Sequence, residues 1–531
     1  MAGTSKIRVK TPKPSRRAKP FRCAAVDVGS NAIRFLAAEF ASPSRFTVLR
    51  AERNAVRLGH GVFINGRLSP GQLEEAVQVL RGYALLMREL GITAYRAVAT
   101  SAVRESGNGE EFLGRVLDEA GLELEVINGS EEARLVHRAV KSRVDMSGGT
   151  WMMADLGGGS VEVSLADGGS VLWSESHTMG AVRLLEELAG GGQAPGSFLR
   201  LLEEYTQTLR IPMALEGADP KGFIATGGNS ETLAQMAMAA VDSEGVARFP
   251  VSTLSSLIQK LARLSYRERM EQLGLRGDRA DVILPAAIVY ERLAGLSGAG
   301  EITVPFVGVR EGIVLDLADG LGRGDERRSR REREVLRAAV ALGRKYRFDE
   351  PHGLHVAALS LSLFDQLKGL HKLGDEERDA LQAAAMLHDI GSFVSYKSHH
   401  KHTLYLIANS DLPGLSPGQV RVVANVARYH RRSLPKLQHE SYAGLDAGPK
   451  EVVRKLAALL RLADAMDREH RQKVQGVRAK VSGGTLVLTM VGEGDLLLEG
   501  WALKRKSDLF RRAYNMPVEI SPRAKGKGEK R

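Results

Sequence analysis

The sequence predicts an α/β chain in which a duplicated N-terminal unit is followed by a mostly α-helical region and a small β-containing C-terminal region. Three observations predict it. A strand–Asp–glycine-turn–strand pattern at residues 23–40 returns at 151–165, with Asp27 and Asp155 in corresponding places 128 residues apart. The composition changes across an arginine-rich stretch at 320–335. Short alternating apolar runs then occupy 472–520.

Taken in order, Cys23-Ala-Ala-Val-Asp-Val is a buried-strand pattern ending at Asp27, and Gly29-Ser30-Asn31 is a turn into the apolar segment Ile33 to Phe40. Residues 71–90 have helical periodicity. Arg96 to Thr100 reads as a strand running into a polar loop, Ser101 to Glu105. Residues 108–120 read as a helix, 122–127 as a strand and 131–140 as a helix. The pattern then repeats: Trp151-Met-Met-Ala-Asp155, the turn Gly157-Gly158-Gly159-Ser160, and Val161 to Leu165. Ile224-Ala-Thr-Gly227-Gly228-Asn229 is a further strand-to-helix turn. Pro305 to Gly312 closes the unit, followed by one more helix. The stretch 320–335 predicts a linker or an exposed helix start. Residues 335–470 are helical by pattern and carry most of the 13 histidines. In 472–520, Gly476 to Val481, Thr485 to Leu488 and Leu496 to Leu498 read as strands around a helix from Trp501 to Tyr514.

The 531 residues suggest three or four domain-sized units, and 43% hydrophobic with 26% charged residues excludes a wholly disordered chain. No apolar run approaches the roughly 18 residues of a membrane span. Met1 to Pro20 lacks the apolar core of a secretory signal, so a cytoplasmic protein is expected. Cys23 is the one cysteine, which excludes an intrachain disulfide and a cysteine-based zinc site. The net charge is +12, and +7 of it lies in residues 1–20 and +4 in residues 520–531. The body is nearly neutral, so neither a membrane nor nucleic acid is expected as a partner.

A turn of Gly and Ser offers several backbone N–H groups in one concavity, which suits an anion. An Asp ending the preceding strand can hold a cation or orient water. Two such turns facing each other suit a polyphosphate chain better than one.

Six motifs occur in order: Asp27-Val-Gly-Ser-Asn31, Ala99-Thr-Ser-Ala-Val-Arg104, Asn128-Gly-Ser-Glu-Glu-Ala-Arg134, Asp155-Leu-Gly-Gly-Gly-Ser-Val-Glu162, Ala225-Thr-Gly-Gly228 and Val309-Arg-Glu-Gly312. The series resembles the exopolyphosphatase/guanosine pentaphosphate phosphohydrolase (Ppx/GppA) family over residues 21–320. The resemblance implies a duplicated actin-like (ribonuclease H-like) ATPase fold. It also implies hydrolysis of the terminal phosphoanhydride of inorganic polyphosphate, or of the 5′-phosphate of guanosine pentaphosphate. Glu132 matches the family's general base, with Glu131 its neighbour one residue away. Asp27, Asp155 and Glu162 match acidic residues that position Mg²⁺ (or Mn²⁺) and water. Gly29, Ser30, Asn31, Gly157, Gly158, Gly159, Ser160, Gly227 and Gly228 match the phosphate turns. Arg104 matches a phosphate-clamping arginine, and Arg310 a late arginine of weaker role. Ala32, Asn128 and Asn229 depart from the family's Ser, Ser and Thr. A homodimer is expected, as is common in the family. The chemistry is consistent, because phosphoanhydride hydrolysis needs positioning, charge neutralisation and an oriented water.

In the helical region, His352, His388-Asp389 and Asp464 resemble the H…HD…D pattern of HD-domain metal phosphohydrolases, which implies a possible second divalent metal. His355 lies near His352, but family spacing favours His352. His399, His400, His402 and His430 could extend the set. The expected units are a basic disordered tail at 1–20, lobe I at 21–145, lobe II at 146–325, an HD-like domain at 335–470, an α+β region at 471–520 and a basic tail at 521–531. Rival readings are a non-catalytic (p)ppGpp- or polyphosphate-binding regulator of the stringent response, hydrolysis at the HD-like centre, and a sugar kinase or ATPase. The acidic set argues against the first, and the Glu-Glu-Ala-Arg context of Glu132 against the last.

Overall fold

A computed structural model describes residues 21–42, 45–189, 197–211, 220–319, 324–431, 433–492 and 494–521. The basic tails expected at 1–20 and 521–531 lie, Ser521 apart, outside the described residues.

The first sheet contains β1 (Phe21–Val28), β2 (Ile33–Ser42), β3 (Arg45–Asn54), β4 (Ala94–Ala99) and β5 (Leu124–Val126), in the order β3-β2-β1-β4-β5. The second contains β6 (Trp151–Leu156), β7 (Val161–Ala166), β8 (Val171–His177), β9 (Phe223–Thr226), β10 (Ala247–Pro250) and β11 (Glu301–Val304), in the order β10-β11-β9-β6-β7-β8. Reversed, that is the first sheet's order with one added edge strand, β10. In both sheets the first two pairings are antiparallel hairpins and the central strand then pairs parallel with a later one (β1 with β4, β6 with β9). The duplication read from the sequence is therefore a duplication of topology. β1 and β6 are buried from Cys23 to Val28 and from Met152 to Leu156, which explains their unbroken apolar runs.

Helices Gly129–Lys141 and Val309–Asp319 pack against each other beside the first sheet. Gly312 makes that approach possible, since a Cβ there would overlap the backbone of Leu135. Gly312 is thus interior to a helix and does not end a loop. Two other local readings are corrected. Ser101–Glu105 is a short helix, started after Thr100, where a polar loop was expected. Leu496–Leu498 is not a strand: Leu496 caps the helix Leu497–Lys506, and a second helix, Asp508–Tyr514, follows where one helix was expected.

The stretch read as a linker or helix start belongs, from Gly324, to the helix Gly324–Lys345. Helices Glu350–Gln366, Asp375–Leu387, His399–Ala408, Pro417–Arg428 and Ala447–Met466 follow around one apolar core. β12 (Val474–Ser482), β13 (Thr485–Gly492) and β14 (Val518–Ser521) form a small sheet that joins this core. No helix among the described residues is long and apolar enough to cross a membrane.

Candidate active site

The two glycine turns have the same internal geometry. Gly29 N–H donates to the Ala32 carbonyl (3.2 Å), and Gly157 N–H to the Ser160 carbonyl (3.0 Å). Those two amides are used inside the turns, which leaves phosphate binding to the groups around them. The turns abut: a Cβ on Gly158 would stand 3.0 Å from Ser30 Cβ and 3.2 Å from Asn31 N. Gly159 faces away from the cleft, its carbonyl accepting from Arg183 Nε (2.7 Å). Between the turns opens a cleft of about 250 Å³, whose walls include Ser30, Asn31, Gly158, Ser160, Gly228 and Arg310. Gly227, at φ 98°, makes the third turn in a conformation that favours glycine.

Glu132 enters from the first turn of the helix Gly129–Lys141, which Asn128 caps by accepting from Glu131 N–H (3.0 Å). Its carboxyl is buried, and Oε2 has no hydrogen-bond partner. One oxygen of each of Glu132, Asp155 and Glu162 lies within 4.8 Å of the others. Glu162 Oε1 accepts from Ser160 Oγ (2.7 Å) and Ser176 Oγ (2.9 Å), while its Oε2 is also buried and unpartnered. Asp155 Oδ1 accepts from Thr226 Oγ1 (2.8 Å).

Burial pushes these acids up. Asp155 rises to about 6 against the Thr226 hydrogen bond. Glu162 rises to about 7 through burial and the Asp155 charge. Burial, then Glu162 and Asp155, carry Glu132 well above its ordinary value. Glu131 is different. Burial raises it, but Arg134, which donates Nε to Oε2 (2.7 Å), and Arg96 (2.9 Å) outweigh burial and hold it low. Glu131 is an ion-pair residue facing away from the cleft.

Asp27 lines the cleft but stays outside the three-carboxylate group, because Arg34 Nη1 donates to its Oδ2 (3.1 Å). Arg104 donates to the Ile127 carbonyl (2.6 Å), and its charge bears on Glu132 and Glu162. Arg310 pairs with Glu311 (2.8 Å). Three carboxylates with two unpartnered buried oxygens make a donor set for a hard divalent cation such as Mg²⁺ or Mn²⁺.

Several residues of this site escaped the sequence reading. Arg34, Arg53 and Arg279 line the cleft, and burial together with the Arg34 and Arg53 charges lowers Arg279 to about 10. Arg34 was findable, since it stands seven residues after Asp27, as Glu162 does after Asp155. Asp411, from the helical region, accepts from Asn128 Nδ2 (3.1 Å), and no local motif announces that contact.

A family model described as the Ppx/GppA phosphatase family matches residues 38–320, and one described as Ppx/GppA phosphatase, domain III, matches 333–497. The chain belongs to the Ppx/GppA phosphatase family. Among solved structures, an exopolyphosphatase from Cytophaga hutchinsonii is 26% identical, with 56% of this chain and 98% of that one covered and a TM-score of 0.53. An exopolyphosphatase-like protein is 25% identical, with coverages of 57% and 99% and a TM-score of 0.51. A Ppx/GppA family member from Aquifex aeolicus is 25% identical, with coverages of 57% and 100% and a TM-score of 0.49. The duplicated α/β unit is the actin-like fold of this Ppx/GppA protein, and the helical region is its domain III.

In domain III, His352, His388, Asp389 and Asp464 come together from three places in the chain. His352 lies in the first turn of Glu350–Gln366, His388 caps Asp375–Leu387, Asp389 follows it, and Asp464 is near the end of Ala447–Met466. His355 is outside, bonded to the Val474 carbonyl (2.9 Å). Of the further histidines, His399 and His430 join Asp389, while His400 and His402 are in none of the ligand-like groups.

Proposed function

We propose that the cleft of this Ppx/GppA phosphatase hydrolyses the terminal phosphoanhydride of inorganic polyphosphate or removes the 5′-phosphate of guanosine pentaphosphate. The observation that carries the reading is the group Glu132, Asp155 and Glu162, with two unpartnered buried oxygens, at a cleft between two phosphate-sized turns. Asp155 and Glu162 would hold Mg²⁺ or Mn²⁺, which when bound offsets the charge of the transferring phosphoryl group. Glu132 Oε2 takes the proton of the attacking water; the new O–P bond forms as the bridging P–O bond breaks, and the shortened anion leaves. Arg34, Arg53 and Arg279 supply positive charge for a polyanion. The named exopolyphosphatase neighbour supports the reading.

The test is phosphate release from long-chain polyphosphate and from guanosine pentaphosphate, side by side, with and without EDTA. Release from at least one, abolished by EDTA, is expected. Tight binding of both without release would overturn the reading in favour of a regulator.

A further inference from the structure

Glu132 depends on its helix for its place. Its Oε2 has no hydrogen-bond partner, so the first turn of Gly129–Lys141 carries the carboxyl to the cleft. That turn hangs on Asn128. The Asn128 carbonyl accepts from Glu132 N–H (3.1 Å), and its Oδ1 accepts from Glu131 N–H (3.0 Å) and Ser130 Oγ (3.1 Å). The first amides of a helix have no partners within it, so a cap of this kind keeps the turn wound.

An asparagine cap has an orientation to settle. Its amide ends in an acceptor and a donor of nearly equal shape, and only one way round puts Oδ1 against the Glu131 amide. The other end meets Asp411, whose Oδ1 accepts from Asn128 Nδ2 (3.1 Å). A carboxylate only accepts, so a flipped amide would set oxygen against oxygen at Asp411 and donor against donor at Glu131. The charge of Arg104 is also close enough to act on Asp411. Asp411 is exposed, but its neighbour Leu412 is buried in the core of domain III. The loop that follows, Gly414 to Pro417, faces Asn128, Glu131 and Arg134 across a cavity of about 360 Å³.

We propose that Asp411 is a positioning residue for the Glu132 cleft: by fixing the Asn128 amide, domain III holds the first turn of the base's helix and so the base itself. The link runs from Asp411 through Asn128 to Glu132, across the seam between domain III and lobe I. The site in the actin-like half is then complete only with domain III in place. Asp411 acts through Asn128 and takes no proton. A group displaced by about 1 Å can cost about 10²-fold in rate, so one hydrogen bond remote from the reacting atoms matters to turnover.

The inference rests on Glu132 being the base of the cleft, so the full-length protein is tested in one arm that reads turnover and one that does not. On whichever of polyphosphate and guanosine pentaphosphate the wild type hydrolyses, Asp411→Ala should lower kcat about tenfold with KM little changed. Asp411→Asn keeps an acceptor for Asn128 and should recover most of that loss. A serine at 128 caps through its hydroxyl and has no amide to orient. In an Asn128→Ser background, adding Asp411→Ala should therefore change kcat by less than about twofold, a coupling that lost domain packing alone would not produce. Wild-type turnover in Asp411→Ala, or the same loss in both backgrounds, would overturn the proposal. Equal losses in Asp411→Asn and Asp411→Ala would also overturn it, by assigning the effect to charge at Arg104. The second arm is amide hydrogen exchange over residues 128–134, read by mass spectrometry. Exchange there should quicken about fivefold in Asp411→Ala but not when Asp411→Ala is added to Asn128→Ser. Unchanged exchange in Asp411→Ala would overturn the positioning role whatever the cleft hydrolyses. A wild type that releases no phosphate, with exchange responding as expected, would overturn the reading of the cleft and support the link to Asn128.

Discussion

Asp155 and Glu162 are direct cross-strand partners in the hairpin of β6 and β7. The corresponding pair in the hairpin of β1 and β2 is Asp27 and Arg34. Opposed residues of an antiparallel pair share a face, so each partner points to the same side as its aspartate. The duplication thus conserved the geometry and reversed one charge. Arg34 pairs with Asp27 in lobe I, while Asp155 keeps a second acid beside it in lobe II, and Glu132, which lobe I contributes, completes the group.

Replacing the base should separate chemistry from binding. Glu132→Gln keeps the shape and removes the proton acceptor, so kcat should fall by about 10²–10⁴-fold with KM little changed. Glu131→Gln breaks the pairs to Arg134 and Arg96 and should lower thermal stability with turnover largely retained. Steady-state phosphate release with melting curves checks both. A near-normal Glu132→Gln enzyme would remove the residue from the mechanism.

Cation dependence should follow the lobe II acids. Exhaustive chelation should stop phosphate release, and Mg²⁺ or Mn²⁺ should restore it. Asp155→Asn should lower the rate and raise the cation concentration needed for half-maximal activity. Asp27→Asn, whose acid is already paired with Arg34, should shift that concentration less. Equal shifts in the two variants would contradict the lobe II placement.

The acids also predict a pH dependence of stability. Asp155, at about 6, and Glu162, at about 7, stay protonated in the folded state where the unfolded chain has already released its protons. Their contribution is therefore fully present below the unfolded values, near pH 4, and is lost as pH rises through the folded ones, near pH 6 to 7. Without divalent cations, the Tm of the wild type relative to an Asp155→Asn, Glu162→Gln double variant should fall across that window. Mg²⁺ should raise the wild-type Tm more at about pH 8 than at about pH 5. A Tm difference that does not change with pH would contradict the buried-acid account.

Phosphate release from polyphosphate should belong to the actin-like half. His388→Ala with Asp389→Ala removes two members of the His/Asp cluster of domain III and leaves every cleft residue in place, so release from short polyphosphates should stay within a few-fold of wild type. Loss of release in that variant, with melting and circular dichroism unchanged, would move this chemistry to domain III.

The sequence alone determined the parts that depend on neighbours in the chain. The two Asp–turn–strand units, with Asp27 and Asp155 at their strand ends, and the histidine-rich helices were legible because strand patterns and tight turns are local, while Glu162 was singled out by the resemblance to the Ppx/GppA family. The short apolar run at Leu496 was not, since a few apolar residues fit a strand or a buried helix equally well. Tertiary structure decided the rest. Successive residues on a helix point about 100° apart, so the choice between Glu131 and Glu132 waits on how Gly129–Lys141 is rotated. Its packing against Val309–Asp319 accompanies a rotation that turns Glu132 to the cleft and Glu131 to Arg96 of β4. His399 and His430 likewise become partners of Asp389 only because separate helices converge on one core. Local patterns place residues along an element, but which face meets which is fixed by burying apolar surface between elements far apart in the chain.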